Sequence, residues 1–148
     1  MRITPSLFCK TKHEPLVDTD VWIDYLRGHP QAVKFVLQLP ERVWISAISV
    51  AELHVGVREG AEREALAQLL STLDVVDLNA AITVRGGLLR RDLGRSHGIG
   101  LNDALIGATA MQMELSLLTL NVKHYPMLEK QQVRQAYRKA SIYTVVRN

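Results

Sequence analysis

Leu16-Val17-Asp18-Thr19-Asp20-Val21-Trp22-Ile23-Asp24-Tyr25-Leu26-Arg27-Gly28 is the stretch whose reading decides the fold. It follows Pro15, opens on two aliphatic residues and reaches a carboxylate. That reads as a short buried strand ending at Asp18. Asp20 is a good N-cap, so a helix is expected from Val21, with Trp22, Ile23 and Leu26 on its apolar face. Gly28 supplies the stop. Asp24, one turn after Asp20, is expected to be solvated.

The same alternation continues outward. After Pro30, residues 32–39 read as a second helix that Pro40 stops. Residues 42–45 read as a strand, and Ser46 as the cap of a helix through Glu52 and Val57 that ends at Gly60. Residues 62–73 carry Ala65, Leu66, Leu69, Leu70 and Leu73 at helical spacing. Residues 75–78 form a third strand, and Asn79 caps a helix to about His97. A Gly-rich loop leads to a helix over 101–113 and a buried strand over 115–120. The polar tail predicts a helix over 130–139 and a last strand over 142–146. Strands alternating with helix pairs imply an α/β fold, a parallel sheet sandwiched between helices on both faces. Residues 1–14 read as a loose leader and 15–148 as one domain.

Composition narrows the function classes. The 148 residues are 47% hydrophobic but only 5% aromatic, so the core must be aliphatic. The single cysteine, Cys9, excludes an internal disulfide and a cysteine-based zinc site. A reduced, cytoplasmic setting is the expectation. No apolar run approaches the roughly 20 residues that span a bilayer. The net charge of +3 is compatible with a polyanionic partner without showing one.

Three carboxylates fall where a parallel α/β fold places a site. Asp18 ends the first strand, at the edge where such sheets bind ligands. Glu52 lies early in the helix after the second strand, and Asp103 in the first turn of the helix before the fourth. Each also has an ordinary structural reading. Asp18 could be a turn residue. Glu52 could close a Ser49-x-x-Glu52 capping box, although the apolar run from Ala47 favours Ser46 as the cap. Asp103 could answer the helix dipole, with Asn102 as cap.

The surroundings of the acids carry more weight than any one of them. Residues 16–27 resemble the opening motif of PIN-domain nucleases. Ile45-Ser-Ala-Ile-Ser-Val-Ala-Glu52-Leu-His-Val-Gly56 is similar to their second motif. Gly98-Ile-Gly-Leu-Asn-Asp103-Ala-Leu-Ile-Gly107 is similar to the third, and Leu117-Leu-Thr119-Leu-Asn121-Val-Lys-His124-Tyr125 to the fourth. The four occur in order over about residues 15–126, and the likeness is greatest to VapC-type toxins of toxin–antitoxin pairs. This resemblance implies a PIN-like fold and a ribonuclease that cleaves RNA phosphodiester bonds. It implies that Asp18, Glu52 and Asp103 are catalytic and bind Mg²⁺ or Mn²⁺, and that a cognate antitoxin is a partner. Hard divalent cations do prefer carboxylate oxygens, and a cation relieves the mutual repulsion of clustered acids.

The fourth motif departs from the family, which often has a further acid there; this chain has Asn121 and His124. Asn121 can hold a water or a phosphate oxygen but adds no charge. Thr19 and Thr119 are candidate water-positioning hydroxyls, and Asp20 a helix cap or outer support of the metal. Arg27, Arg58 and Lys123 stand near the acidic motifs and are the candidate phosphate contacts. With aromatics scarce, base stacking would fall to one exposed ring, Tyr25 or Tyr125. The apolar residues of 65–73 and 82–93 exceed what one small sheet covers, which suggests a homodimer. The rival readings are a housekeeping RNA- or DNA-processing enzyme of the same family, and a non-catalytic binding protein of this fold.

Overall fold

The computed structural model describes residues 13–139. The first strand, β1, is Pro15–Val17. It is followed by α1 (Thr19–Leu26), α2 (Pro30–Leu37), β2 (Trp44–Ser46), α3 (Ala47–Val55), α4 (Ala61–Leu70) and β3 (Asp74–Val76). The second half holds α5 (Ala80–His97), α6 (Leu101–Met113), β4 (Ser116–Thr119), a 3-10 turn (Val122–His124) and β5 (Val133–Gln135). The five strands form one parallel sheet in the order β3-β2-β1-β4-β5. The chain therefore builds outward from β1 to one side and then crosses to the other. β1 is the switch point, where open α/β sheets bind ligands beyond the strand ends.

Side-chain alternation along the strands makes the two layers. Leu16 and Leu117 point into one core, with Ile82 of α5 and Ile106 and Ala108 of α6. Val17, Ile45 and Leu118 point into the other, with Val21, Trp22, Phe35, Leu53 and Leu66 of α1 to α4. Every one of these residues is buried, giving the expected α/β/α sandwich with an aliphatic centre. α5 and α6 approach closely at Gly86, where a Cβ would stand 3.1 Å from the Leu105 Cα. Gly98, at φ +64, takes the left-handed turn that ends α5 and lets α6 begin beside the sheet edge.

Several expectations need correction. Asp18, not Asp20, is the N-cap of α1. Its backbone is extended, its side chain accepts from Thr19 N, and its carbonyl accepts from Val21 N at 3.2 Å. The helix thus starts at Thr19. α3 ends at Gly56 rather than Gly60; Gly60, at φ +96, precedes α4 instead. The tail 130–139 is not helical. β5 pairs with β4, and Leu117 N donates to Gln132 O and Ala136 N to Thr119 O, both at 2.8 Å. The pairing with β4 is a contact between distant segments that the polar sequence of the tail does not show. Asp24 is buried, not solvated. Ser46 and Asn79 cap α3 and α5 as expected, through Ile48 N and Ile82 N.

The strand expected at 142–146 and residues 1–12 of the expected leader lie outside the described residues. Glu14 immediately precedes β1, the central strand. Its carbonyl accepts from Ser116 N, and its carboxylate from Trp44 Nε1, each at 2.9 Å. No helix among the described residues is long and apolar enough to cross a membrane.

Candidate active site

Asp18 emerges from β1 one residue beyond the Val17–Leu118 register pair, which sets it beside Thr119 at the end of β4. Both are buried. Thr119 Oγ1 donates to Asp18 Oδ2 at 2.7 Å, Tyr125 Oη donates to the same oxygen at 2.9 Å, and Thr19 N donates to Oδ1 at 2.8 Å. Three donors fix the carboxylate, yet none carries a positive charge. Burial therefore prevails and pushes the Asp18 carboxyl up to about 6, with the Asp20 charge adding to the rise and the three donors opposing it.

Asp103 projects from the first turn of α6. Its Oδ1 is 3.4 Å from the Tyr125 hydroxyl, so Asp18 and Asp103 flank one phenol. A hydroxyl has one proton to give, and the shorter contact assigns it to Asp18. His124 Nδ1 is 3.3 Å from Asp103 Oδ2. Burial raises the Asp103 carboxyl, His124 opposes that rise, and the charges of Glu52 and Asp20 reinforce it. The Tyr125 phenol is pushed far up by burial and by the two acids.

Glu52 joins through a relay of side chains. Thr19 Oγ1 lies 2.7 Å from Glu52 Oε1 and 2.7 Å from Ser49 Oγ. With one proton available, Thr19 donates to the carboxylate and its lone pair takes the proton of Ser49. The capping-box reading of Glu52 fails, because α3 starts after Ser46 and Ser49 is spent on Thr19. Asn102 is not the cap of α6, a place taken by Gly100; its amide donates to Glu52 Oε2 at 3.4 Å. Asn121 joins Asp20 to the edge of the site. Its amide donates to Asp20 Oδ2 and its backbone N–H to Thr119 Oγ1, both at 3.1 Å.

The basic residues are dispersed. Arg27 follows α1, and Lys123 is exposed on the 3-10 turn. Arg58 is exposed beyond α3 and pairs with Glu62 at 3.8 Å. Tyr25 is half-buried and stands edge-on to Trp22, with ring centroids 6.0 Å apart. Tyr125 is not an exposed base-stacking ring. It is 1% exposed, and its hydroxyl, not its ring face, meets the acids. Sequence reasoning missed that role because an aromatic residue after His124 is indistinguishable from core until β4 and α6 are brought together. Gly107, four residues after Asp103, does meet a neighbour, since a Cβ there would stand 2.7 Å from Met127 Sδ. Gly56 faces open space.

The donor set is all oxygen, acidic and short of positive charge, which fits a hard divalent cation. Among the described residues, no three His, Cys, Asp or Glu side chains converge tightly enough to hold a metal together. A small cation such as Mg²⁺ usually takes only one or two carboxylates directly and keeps several waters.

The parallel sheet, the acid at its switch point and the acids of α3 and α6 define a class. The chain belongs to the PIN domain family, whose model matches residues 16–126. Over 118 residues it is 42% identical to Ribonuclease VapC10 of Mycobacterium tuberculosis (strain ATCC 25618 / H37Rv), covering 78% of this chain and 88% of that protein. It is 39% identical over 116 residues to Ribonuclease VapC19 of the same strain, covering 76% and 92%. A solved toxin-antitoxin complex from Klebsiella pneumoniae contains a chain of the same fold. Its TM-score is 0.73 at 28% identity, covering 85% of this chain and 100% of that one. Ribonucleases of this family depend on a divalent metal.

Proposed function

We propose that this protein is a metal-dependent endoribonuclease acting as the toxin of a VapBC-type pair, with residues 15–148 as one nuclease domain in the cytoplasm. The observation that carries the reading is the juxtaposition of Asp18 and Asp103 around the Tyr125 hydroxyl at the switch point of a PIN-family sheet. Asp18 and Asp103 would hold Mg²⁺ or Mn²⁺, with Glu52 within reach through water. When bound, that ion supplies Lewis acidity toward the phosphate and a lowered pKa for water.

The chain's own groups perform the remaining tasks. Thr119 and Tyr125 aim the Asp18 carboxylate by both donating to Oδ2, which leaves Oδ1 with the single bond from Thr19 N. Thr19, backed by Ser49, aims Glu52. Asp20 holds the Asn121 amide at the edge of the site. Lys123 and Arg27 would meet phosphates; Arg58, already paired and exposed, is the weaker candidate of the three.

A cognate antitoxin is the partner that keeps such an enzyme from harming its host. Copies of the chain associate through the outer side of α5, where Val84 is 63% and Leu88 43% exposed one turn apart.

The test is cleavage of total cellular RNA by the purified protein with Mg²⁺, with Mn²⁺ and with EDTA, beside Asp103→Asn. Cleavage restricted to the metal-containing wild type is expected. Equal cleavage in EDTA, or by the variant, overturns the reading.

A further inference from the structure

A cleft of about 460 Å³ runs along α1, between that helix and the chain that follows β5. Asp20 and Asn121 line it where it adjoins the carboxylates, and Arg27, Gln135 and Arg138 line it further on. Asp20 and Arg27 are seven positions apart along α1 and its C-cap, a span of about 10 Å. The cleft thus leads from the acidic site to a pair of guanidinium groups.

Away from Asp20, which lines its acidic end, the charges in its wall favour an anion. Asp24 would oppose one, but its carboxylate is buried and already satisfied. Tyr137 Oη donates to its Oδ2 at 2.8 Å and Lys139 Nζ pairs with its Oδ1 at 3.0 Å. Those two bonds outweigh the effect of burial and hold the Asp24 carboxyl below its ordinary value. They also anchor residues 137 and 139 against α1, and Tyr137 stacks on His29 with ring centroids 6.1 Å apart. Arg138, between the two anchors, is exposed and lines the cleft. Neither Arg27 nor Arg138 has an ion-pair partner among the described residues. Unpaired arginines on a fixed wall, beside a centre that acts on phosphodiesters, suit a phosphate-bearing strand. An apolar protein segment would find little there to bury against beyond Ile23, Leu120 and the Tyr137 ring.

We propose that this cleft binds single-stranded RNA on one side of the scissile bond, with Arg27 and Arg138 on successive phosphates. The proposal rests on the ribonuclease reading and adds to it the path of the strand. It also gives the extended segment after β5 a role, since a helix over 130–139 would not set Arg138 opposite Arg27.

The experiment measures fluorescence anisotropy of a labelled, unstructured 12-nucleotide RNA of mixed sequence in EDTA, over a series of salt concentrations. Wild type is compared with Arg27→Gln, Arg138→Gln and the double variant. Arg85→Gln is the control, because Arg85 lies near Gln112, at the far end of α6 from Asp103. Each lost phosphate contact should flatten the plot of log affinity against log salt by about 0.7. The double variant should bind roughly tenfold more weakly at low salt, with Arg85→Gln unchanged. Cleavage should fall at low RNA concentration and recover at saturation. Salt slopes that match wild type in the double variant, or no salt-dependent binding by wild type, overturn the cleft. So does loss of antitoxin binding in the double variant with RNA binding intact, which would make the cleft a protein site. Intact RNA binding without metal-dependent cleavage sinks the ribonuclease reading instead.

Discussion

Asp18→Asn should make the metal-free protein more stable at neutral pH while abolishing its activity. Asp18 is 5% exposed and its carboxyl is raised from 3.8 to about 6. The native state therefore binds this proton more tightly than the unfolded chain does. The stabilisation is fully present below the unfolded value and is lost as pH rises through about 6. At 1.36 kcal/mol per unit, the ionised side chain costs the native protein about 3 kcal/mol at neutral pH.

Asparagine fits the same hole without the charge. Its oxygen can accept from Thr19 N, and its amide can donate to Thr119 and Tyr125, freeing the phenol proton to turn to Asp103. Urea denaturation in EDTA, followed by circular dichroism, should show the variant ahead by up to about 3 kcal/mol near pH 7. The two should agree within about 1 kcal/mol near pH 4, where Asp18 is neutral. Adding Mg²⁺ should raise the stability of wild type alone, because only the wild type gains from binding it. A variant less stable than wild type in EDTA at neutral pH, or a gap that does not change with pH, would refute the account of Asp18 as a buried, uncompensated charge.

Two further outcomes are expected. Tyr125→Phe removes a donor to a buried carboxylate. It should cost the metal-free protein about 1.5–3 kcal/mol near pH 7 and less near pH 4, by the same denaturation series, and should lower cleavage without altering the dichroism spectrum. Val84→Glu with Leu88→Glu should shift sedimentation equilibrium at micromolar concentration from dimer to monomer, and a wild type that is already monomeric counts against the α5 interface.

The amino-acid sequence by itself determined the class of fold and the candidate acids. Leu16-Val17-Asp18 reads as strand then acid. The caps Ser46 and Asn79 mark helix starts, and the span 101–113 of α6 follows from its Gly and apolar punctuation, because these signals are local and act through the backbone of a few neighbouring residues. Four motifs in order carried the family. What the chain could not reveal locally is what distant segments do to one another. β5 is a strand because it pairs with β4, a contact its polar sequence does not show. Asp24 is buried because residues 137 and 139 fold back on α1. Tyr125, 107 residues from Asp18 in the chain, reaches it at 2.9 Å only once β1 and β4 are in register. Burial, charge pairing and the pKa values that follow from them are properties of the packed whole, so the acids were legible as candidates while their environment was decided by the tertiary structure.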